Sequence, residues 1–143
     1  MTPKTGMAIL LDIGEENDIH PHNKQDVGKR LALLALNRDY GFDIVDSGPL
    51  YSNHEVKNEY IQISFDNIGS GLNAKHPLIG FEISGQDGIF YTANAEIEND
   101  KLKVYSSEVK KPKDVRYGWK NYFEATLFNQ EGLPASSFTT SDQ

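Results

Sequence analysis

Asp18 and His20 stand two residues apart in Asp18-Ile19-His20-Pro21, and an acid beside an imidazole is the pairing with which hydrolases move protons. A histidine so placed takes the proton of a serine hydroxyl and returns it to the leaving group, while the carboxylate fixes its tautomer and stabilises the imidazolium. Taken alone, an Asp-x-His-Pro more commonly caps or packs a loop. His20 and His22, alternate residues of an extended segment, also face one way as two metal ligands would. Structural zinc needs four ligands, however, and the remaining histidines, His54 and His76, fall in distant turns, so no metal site is expected. Ser70, in Gly69-Ser70-Gly71, and Ser84, before Gly85, lack the Gly-x-Ser-x-Gly setting of a nucleophile elbow and read as turn residues. Gly69-Ser70-Gly71 is no phosphate cradle either, having neither a following helix nor a Lys-Ser/Thr pair. Trp119, close to Tyr117, Tyr122 and Phe123, offers either a stacking platform for a sugar ring or filling for a small core, and burial is the expectation.

The elements that hold these residues fall into two groups. Met7-Ala8-Ile9-Leu10-Leu11-Asp12-Ile13, bounded by Gly6 and Gly14, is a short apolar run with the pattern of a strand buried on both faces, which usually belongs to a parallel sheet. Polar residues 14–22 with Pro21 then predict a loop at the carboxyl end of that strand, where open α/β folds bind ligands. Asn23 is a candidate N-cap and Asp26 follows at the third helical position. Val27, Leu31, Leu34 and Ala35 make an apolar helix face opposite Lys24, Lys29 and Arg30, and Gly41 marks the stop.

From Asp46 onward the signals are those of strands. Tyr60–Phe65, Phe81–Ile83 and Ala93–Ile97 alternate apolar with polar residues before turn-forming pairs. Val115–Trp119 and Ala125–Phe128 are further candidates. Glu98-Asn99-Asp100-Lys101 between Ala95–Ile97 and Leu102–Tyr105 is the clearest hairpin, since Asn and Asp tolerate the positive φ of tight turns. Seven or eight short strands predict a mainly β protein, an antiparallel sandwich or jelly roll, over residues 46–138. Residues 1–45 form a separate strand, loop and helix, and 139–143 a frayed tail. One buried strand and one helix cannot make a parallel sheet alone, so the first segment either ends a larger α/β domain or docks on the sandwich.

Composition narrows the chemistry. The chain has 143 residues with 14 Lys plus Arg against 21 Asp plus Glu, a formal charge of −7, which disfavours a nucleic-acid partner. No window approaches the roughly 18 to 20 apolar residues of a membrane span. Residues 1–6 lack the regions of a signal peptide, so nothing here is expected to direct export. Without a cysteine, thiol catalysis, disulfide scaffolds and Cys-based zinc sites are excluded.

Several motifs in one order carry a family resemblance: residues 6–9, Asp12-Ile13-Gly14-Glu15, the run from Asp18 to Ala32, Ser47-Gly48-Pro49-Leu50-Tyr51, Phe65–Leu72, Val115–Trp119 and Glu131–Ser136. Together they resemble the last catalytic block and the following region of bacterial sialate O-acetylesterases, of the SGNH-hydrolase superfamily. The resemblance implies a flavodoxin-like α/β esterase domain followed by a β-sandwich, removing acetyl groups from sugar hydroxyls, above all O-acetylated sialic acid. It implies that residues 1–45 are the carboxyl end of that esterase domain. The serine nucleophile and the oxyanion-hole glycine and asparagine of the family have no counterpart here, so the chain looks like a carboxyl-terminal piece, inactive alone, whose partner is the missing amino-terminal esterase domain. His20 falls on the family's general base. The superfamily's Asp-x-x-His pattern puts the acid at position 17, where Asn17 stands; Asp18, Glu15, Glu16 or a backbone carbonyl remain as partners for His20, with Asp18 preferred. No metal or organic cofactor is called for, and relatives point to a periplasmic or extracellular parent enzyme. A different class, a non-catalytic sandwich that binds glycan or packs on a catalytic partner, and a stand-alone hydrolase using Ser70 or Ser84, are the competing expectations.

Overall fold

A computed structural model describes residues 4–141. Its single helix, α1 (Lys24–Arg38), begins where the capping signal lies: the Asn23 side-chain oxygen accepts the Asp26 N–H at 3.1 Å, and Gly41 beyond its end has φ of 72°. The face that docks differs from the expected one. Leu34 is buried and Val27 half-buried, but Leu31 is 51% exposed, and Arg30, expected on the outer side, is buried between them. Its guanidinium grips Asp12 through two bonds of 2.6 and 2.7 Å and donates to the Ile9 carbonyl at 2.7 Å. A planar fork meeting a carboxylate makes two charge-assisted hydrogen bonds at once, which offsets the cost of burying the arginine.

Asp12 belongs to the segment Met7–Ile13, which is not a strand. Among the described residues no strand lies beside it, and a strand buried on both faces requires parallel neighbours. It runs as half-buried coil, turns at Leu10, whose carbonyl accepts from Ile13 and Gly14, and is tied to α1 instead of to a sheet. Arg38 closes the other end of this arm by donating to Asp46 at 2.7 Å and to the Thr5 carbonyl.

Residues 50–139 form ten strands, all paired antiparallel: β1 (Leu50–Lys57), β2 (Tyr60–Asp66), β3 (Leu72–Ala74), β4 (Phe81–Ser84), β5 (Phe90–Thr92), β6 (Asn94–Glu98), β7 (Lys101–Tyr105), β8 (Asp114–Tyr117), β9 (Leu127–Asn129) and β10 (Phe138–Thr139). One sheet has the order β1-β2-β7-β6, a second β10-β8-β4-β5, and β3 pairs with β9. The protein is mainly β, as expected, with more and shorter strands. Between β6 and β7, Asn99 and Asp100 take φ of 51° and 56°, the two consecutive left-handed residues of a tight hairpin turn. The last strand corrects the expected fraying at 139: Thr140 donates its N–H to Val115 and accepts the Val115 N–H on its hydroxyl. Of that expected tail, Asp142 and Gln143 lie outside the described residues.

The inner faces of the two four-stranded sheets share one core. Ile61 and Ile63 of β2 and Leu102 and Val104 of β7 are fully buried, as are Phe81, Ile83, Val115 and Tyr117 of β4 and β8. Each such aliphatic side chain contributes about 1.5–3 kcal/mol by leaving water. Phe138 bridges the layers, stacked at 5.5 Å on Tyr51 and edge-on at 5.5 Å to Phe65. Asn129, also fully buried, donates to the Ser47 carbonyl and accepts from Leu133, joining the chain that leaves the arm to the β9 region.

Candidate functional site

The loop 14–23 folds back on itself through an antiparallel bridge between Glu15 and Asp18, so the two acids stand side by side with Glu16 and Asn17 at the turn. From this base the chain continues to His20 and His22. Asp18 Oδ1 accepts the His20 backbone N–H at 2.8 Å and lies 3.7 Å from His20 Nδ1, while Asp18 Oδ2 lies 3.7 Å from His22 Nε2. Glu15 Oε1 accepts the His22 backbone N–H at 3.0 Å and stands 2.8 Å from His22 Nδ1. The structure thus brings Asp18 to the Nδ1 side of His20, which leaves Nε2 as the nitrogen turned away from the acid. The ring is 77% exposed. A contact of 3.7 Å is longer than a hydrogen bond, and such acid–base contacts commonly tighten only when substrate is bound.

Of the other acids considered for His20, Glu15 is engaged by His22, a pairing the sequence reading missed. Asn17 and Glu16 turn into the neighbouring cleft. In sequence His22 reads only as a metal ligand; its partner Glu15 lies seven residues away across a turn, a separation that local spacing does not reveal. Among the described residues, no group of three or more His, Asp or Glu is arranged to hold a metal ion. His54 is elsewhere, its Nδ1 2.7 Å from the Tyr51 hydroxyl.

Beside the loop lies a cleft of about 590 Å3, walled on one side by Leu10, Leu11 and residues 14–19 and on the other by Lys120, Asn121, Tyr122 and Phe123. The second wall is pinned by Phe123. Gly118, at φ of 66°, and Gly80 leave the space its ring occupies, since a Cβ at either would stand within 3 Å of that ring. The ring also packs edge-on against Tyr117 at 5.2 Å. With Phe123 held inward, Tyr122 is 45% exposed at the cleft. Trp119, expected in the core, is 49% exposed, whereas Tyr117 and Phe138 lie in the core in contact with each other. Tyr117 is the aromatic that is buried: its hydroxyl accepts the N–H groups of Thr126 and Leu127, and burial pushes its pKa above the ordinary tyrosine value.

Neither candidate serine lines this cleft. Ser70 is engaged through its N–H and its hydroxyl by Glu131, which lowers the Glu131 pKa, and no histidine faces it. Ser84 lies in β4 rather than in a turn, buried and with no hydrogen bond to its hydroxyl. The loop therefore brings an acid and an exposed imidazole together beside a cleft that Asp18 lines and His20 does not.

Neither a family model nor a curated protein sequence matches the chain. Among solved structures, the crystal structure described as that of a novel carbohydrate acetylesterase from Xanthomonas citri is similar to it, with a TM-score of 0.90 and 40% sequence identity. The similarity covers 95% of this chain and 32% of that one, so this chain spans about a third of the length of the protein it matches.

Proposed function

We propose that this chain carries the general-base loop and the sandwich of a carbohydrate esterase that removes O-acetyl groups from sialic acid. The observation that carries the reading is the 40% identity to a carbohydrate acetylesterase over 95% of this chain. Sialic acid in particular rests on the sequence resemblance alone. In this reading a serine outside the chain attacks the acetyl carbonyl while His20 Nε2 takes its proton. As the intermediate collapses and the bond from the acetyl carbon to the sugar oxygen breaks, the same nitrogen gives that oxygen its proton, and the sugar leaves with a free hydroxyl. In the second half a water, deprotonated by His20, releases acetate and frees the serine. Asp18 holds the imidazole in the required tautomer and offsets its positive charge. The cleft beside the loop, with Tyr122 on its far wall, receives part of the sugar. The rest of the esterase, which supplies nucleophile and oxyanion donors, is the expected partner, and the periplasm or the exterior the expected place of work.

Hydrolysis of p-nitrophenyl acetate tests the division of labour. The 143-residue chain is expected at background rate, and a longer polypeptide containing it is expected to turn over, with His20→Ala lowering kcat by about 10³-fold or more. Turnover by the short chain that His20→Ala abolishes would place a nucleophile within it and overturn the reading. Acetate release from O-acetylated sialic acid against acetylated xylan decides the sugar.

A further inference from the structure

A second groove, of about 530 Å3, lies on the outer face of the β1-β2-β7-β6 sheet and shares no lining residue with the histidine cleft. Beneath it run two rungs of directly paired residues across β6, β7 and β2, of which all but Gln62 line the groove. Asn94, Tyr105 and Tyr60 form one; Glu96, Lys103 and Gln62 form the next. Alternation along a strand puts both rungs on the face opposite the core. This volume is within the range of small-ligand sites.

The charges in the groove cancel. Its lining has two acids, Glu59 and Glu96, and two lysines, Lys103 and Lys110. Each has a partner already: Lys110 lies 4.0 Å from Glu59, Lys103 lies 3.6 Å from Glu98, and Glu96 accepts the Tyr105 hydroxyl proton at 2.9 Å. That last bond raises the Tyr105 pKa and keeps the hydroxyl a donor. An ionic ligand would meet as much repulsion as attraction here. A ligand made of hydroxyls, each both donor and acceptor, can bond acids, lysines and the Asn94 amide alike without parting the ion pairs. The Lys103 ammonium lies over the Tyr60 and Tyr105 rings, 5.0 and 5.7 Å from their centroids, and the ring carbons it leaves uncovered are the apolar part of the lining that the C–H side of such a ligand can meet.

We propose that this groove is a binding site for a neutral oligosaccharide, separate from the esterase cleft and independent of the acyl-transfer reading. The test is calorimetric titration of the full chain with xylotetraose and cellotetraose, with N-acetylneuraminic acid as the charged counterpart, at low and high salt. Saturable binding of a neutral tetraose, unchanged by salt, is expected, weakened about three- to tenfold by Tyr60→Ala and by Tyr105→Ala, in proteins whose melting matches the parent. Amide shifts of the unaltered protein provide a readout that needs no variant: with tetraose they are expected to move in β2, β6 and β7. Absence of binding, binding indifferent to both tyrosine variants, or shifts confined to the Trp119 turn would overturn the proposal. So would binding of the charged sugar alone, or a dimer that the tyrosine variants dissolve, which would make the groove a contact between two copies.

Discussion

Asp18 faces two imidazoles, and only one of them has an acid of its own within hydrogen-bond range. Because Glu15 already orients His22, the catalytic reading assigns Asp18 to His20, and substitutions separate the two acids. If the proposed function holds, a longer esterase containing this chain is expected to lose about 10²- to 10⁴-fold in kcat on Asp18→Asn with little change in KM, and to change by about threefold or less on Glu15→Gln. Equal losses in the two variants would show the acids acting as one unit. Tyr117 gives a prediction on stability. Tyr117→Phe leaves the Thr126 and Leu127 N–H groups without their buried acceptor, at a cost of about 1–3 kcal/mol in urea unfolding. Burial raises the folded-state pKa of this phenol above the unfolded value of about 10, so its contribution is full below that pH and is lost as pH rises through the folded value. Alkaline unfolding above about pH 10 should therefore be less steep in Tyr117→Phe. The acid–imidazole pair was legible in sequence because its members are two residues apart. The Tyr117 acceptor and the Glu15–His22 pair were not, since both partners are brought up by the fold.

At the scale of elements, the arm 4–46 is held by polar clasps more than by apolar packing. The buried Arg30–Asp12 pair carries most of it, and Asp12→Ala, which strands a buried guanidinium, is expected to cost about 3–5 kcal/mol in the stability of the docked helix. Helical periodicity alone puts an arginine outside, which is why the register of this face was misread. The strap 47–49 that follows runs so close to Pro134 that a Cβ on Gly48 would lie 2.0 Å from its carbonyl oxygen. Gly48→Ala should lower stability by about 1–3 kcal/mol, seen as a shifted urea midpoint at constant slope. Where local chemistry decides, the reading succeeded: the Asn23 cap and the Asn99-Asp100 turn are where side-chain preferences put them. It failed for β1, whose Leu-Tyr-Ser-Asn-His-Glu-Val-Lys lacks alternation, and for β3, β5 and β10, which at two or three residues each are strands only through their partners.

Across the whole molecule, burial is uneven. Among the described residues up to 46, Leu34 and Arg30 are the buried side chains, whereas the two sheets enclose a continuous core. Amide hydrogen exchange should therefore run orders of magnitude faster in α1 than in β2, β4, β7 and β8, because opening the arm exposes little apolar surface. Met7, Leu31, Leu36, Tyr40 and Phe42 are left exposed along that arm. The sandwich class could be read from many short strands and polar turns; the pairing order of the sheets could not, since it is set by contacts distant in sequence. The edges of both large sheets carry one further consequence. β5 and β10 are too short to template another chain, β1 is interrupted by a bulge between Tyr51 and Asn53, and β6 presents Glu96 and Glu98 along an acidic border. Each is a device that refuses an added strand. The two large sheets thereby discourage the backbone pairing that builds fibres, and the apolar side chains left exposed along the arm are the surface more open to association.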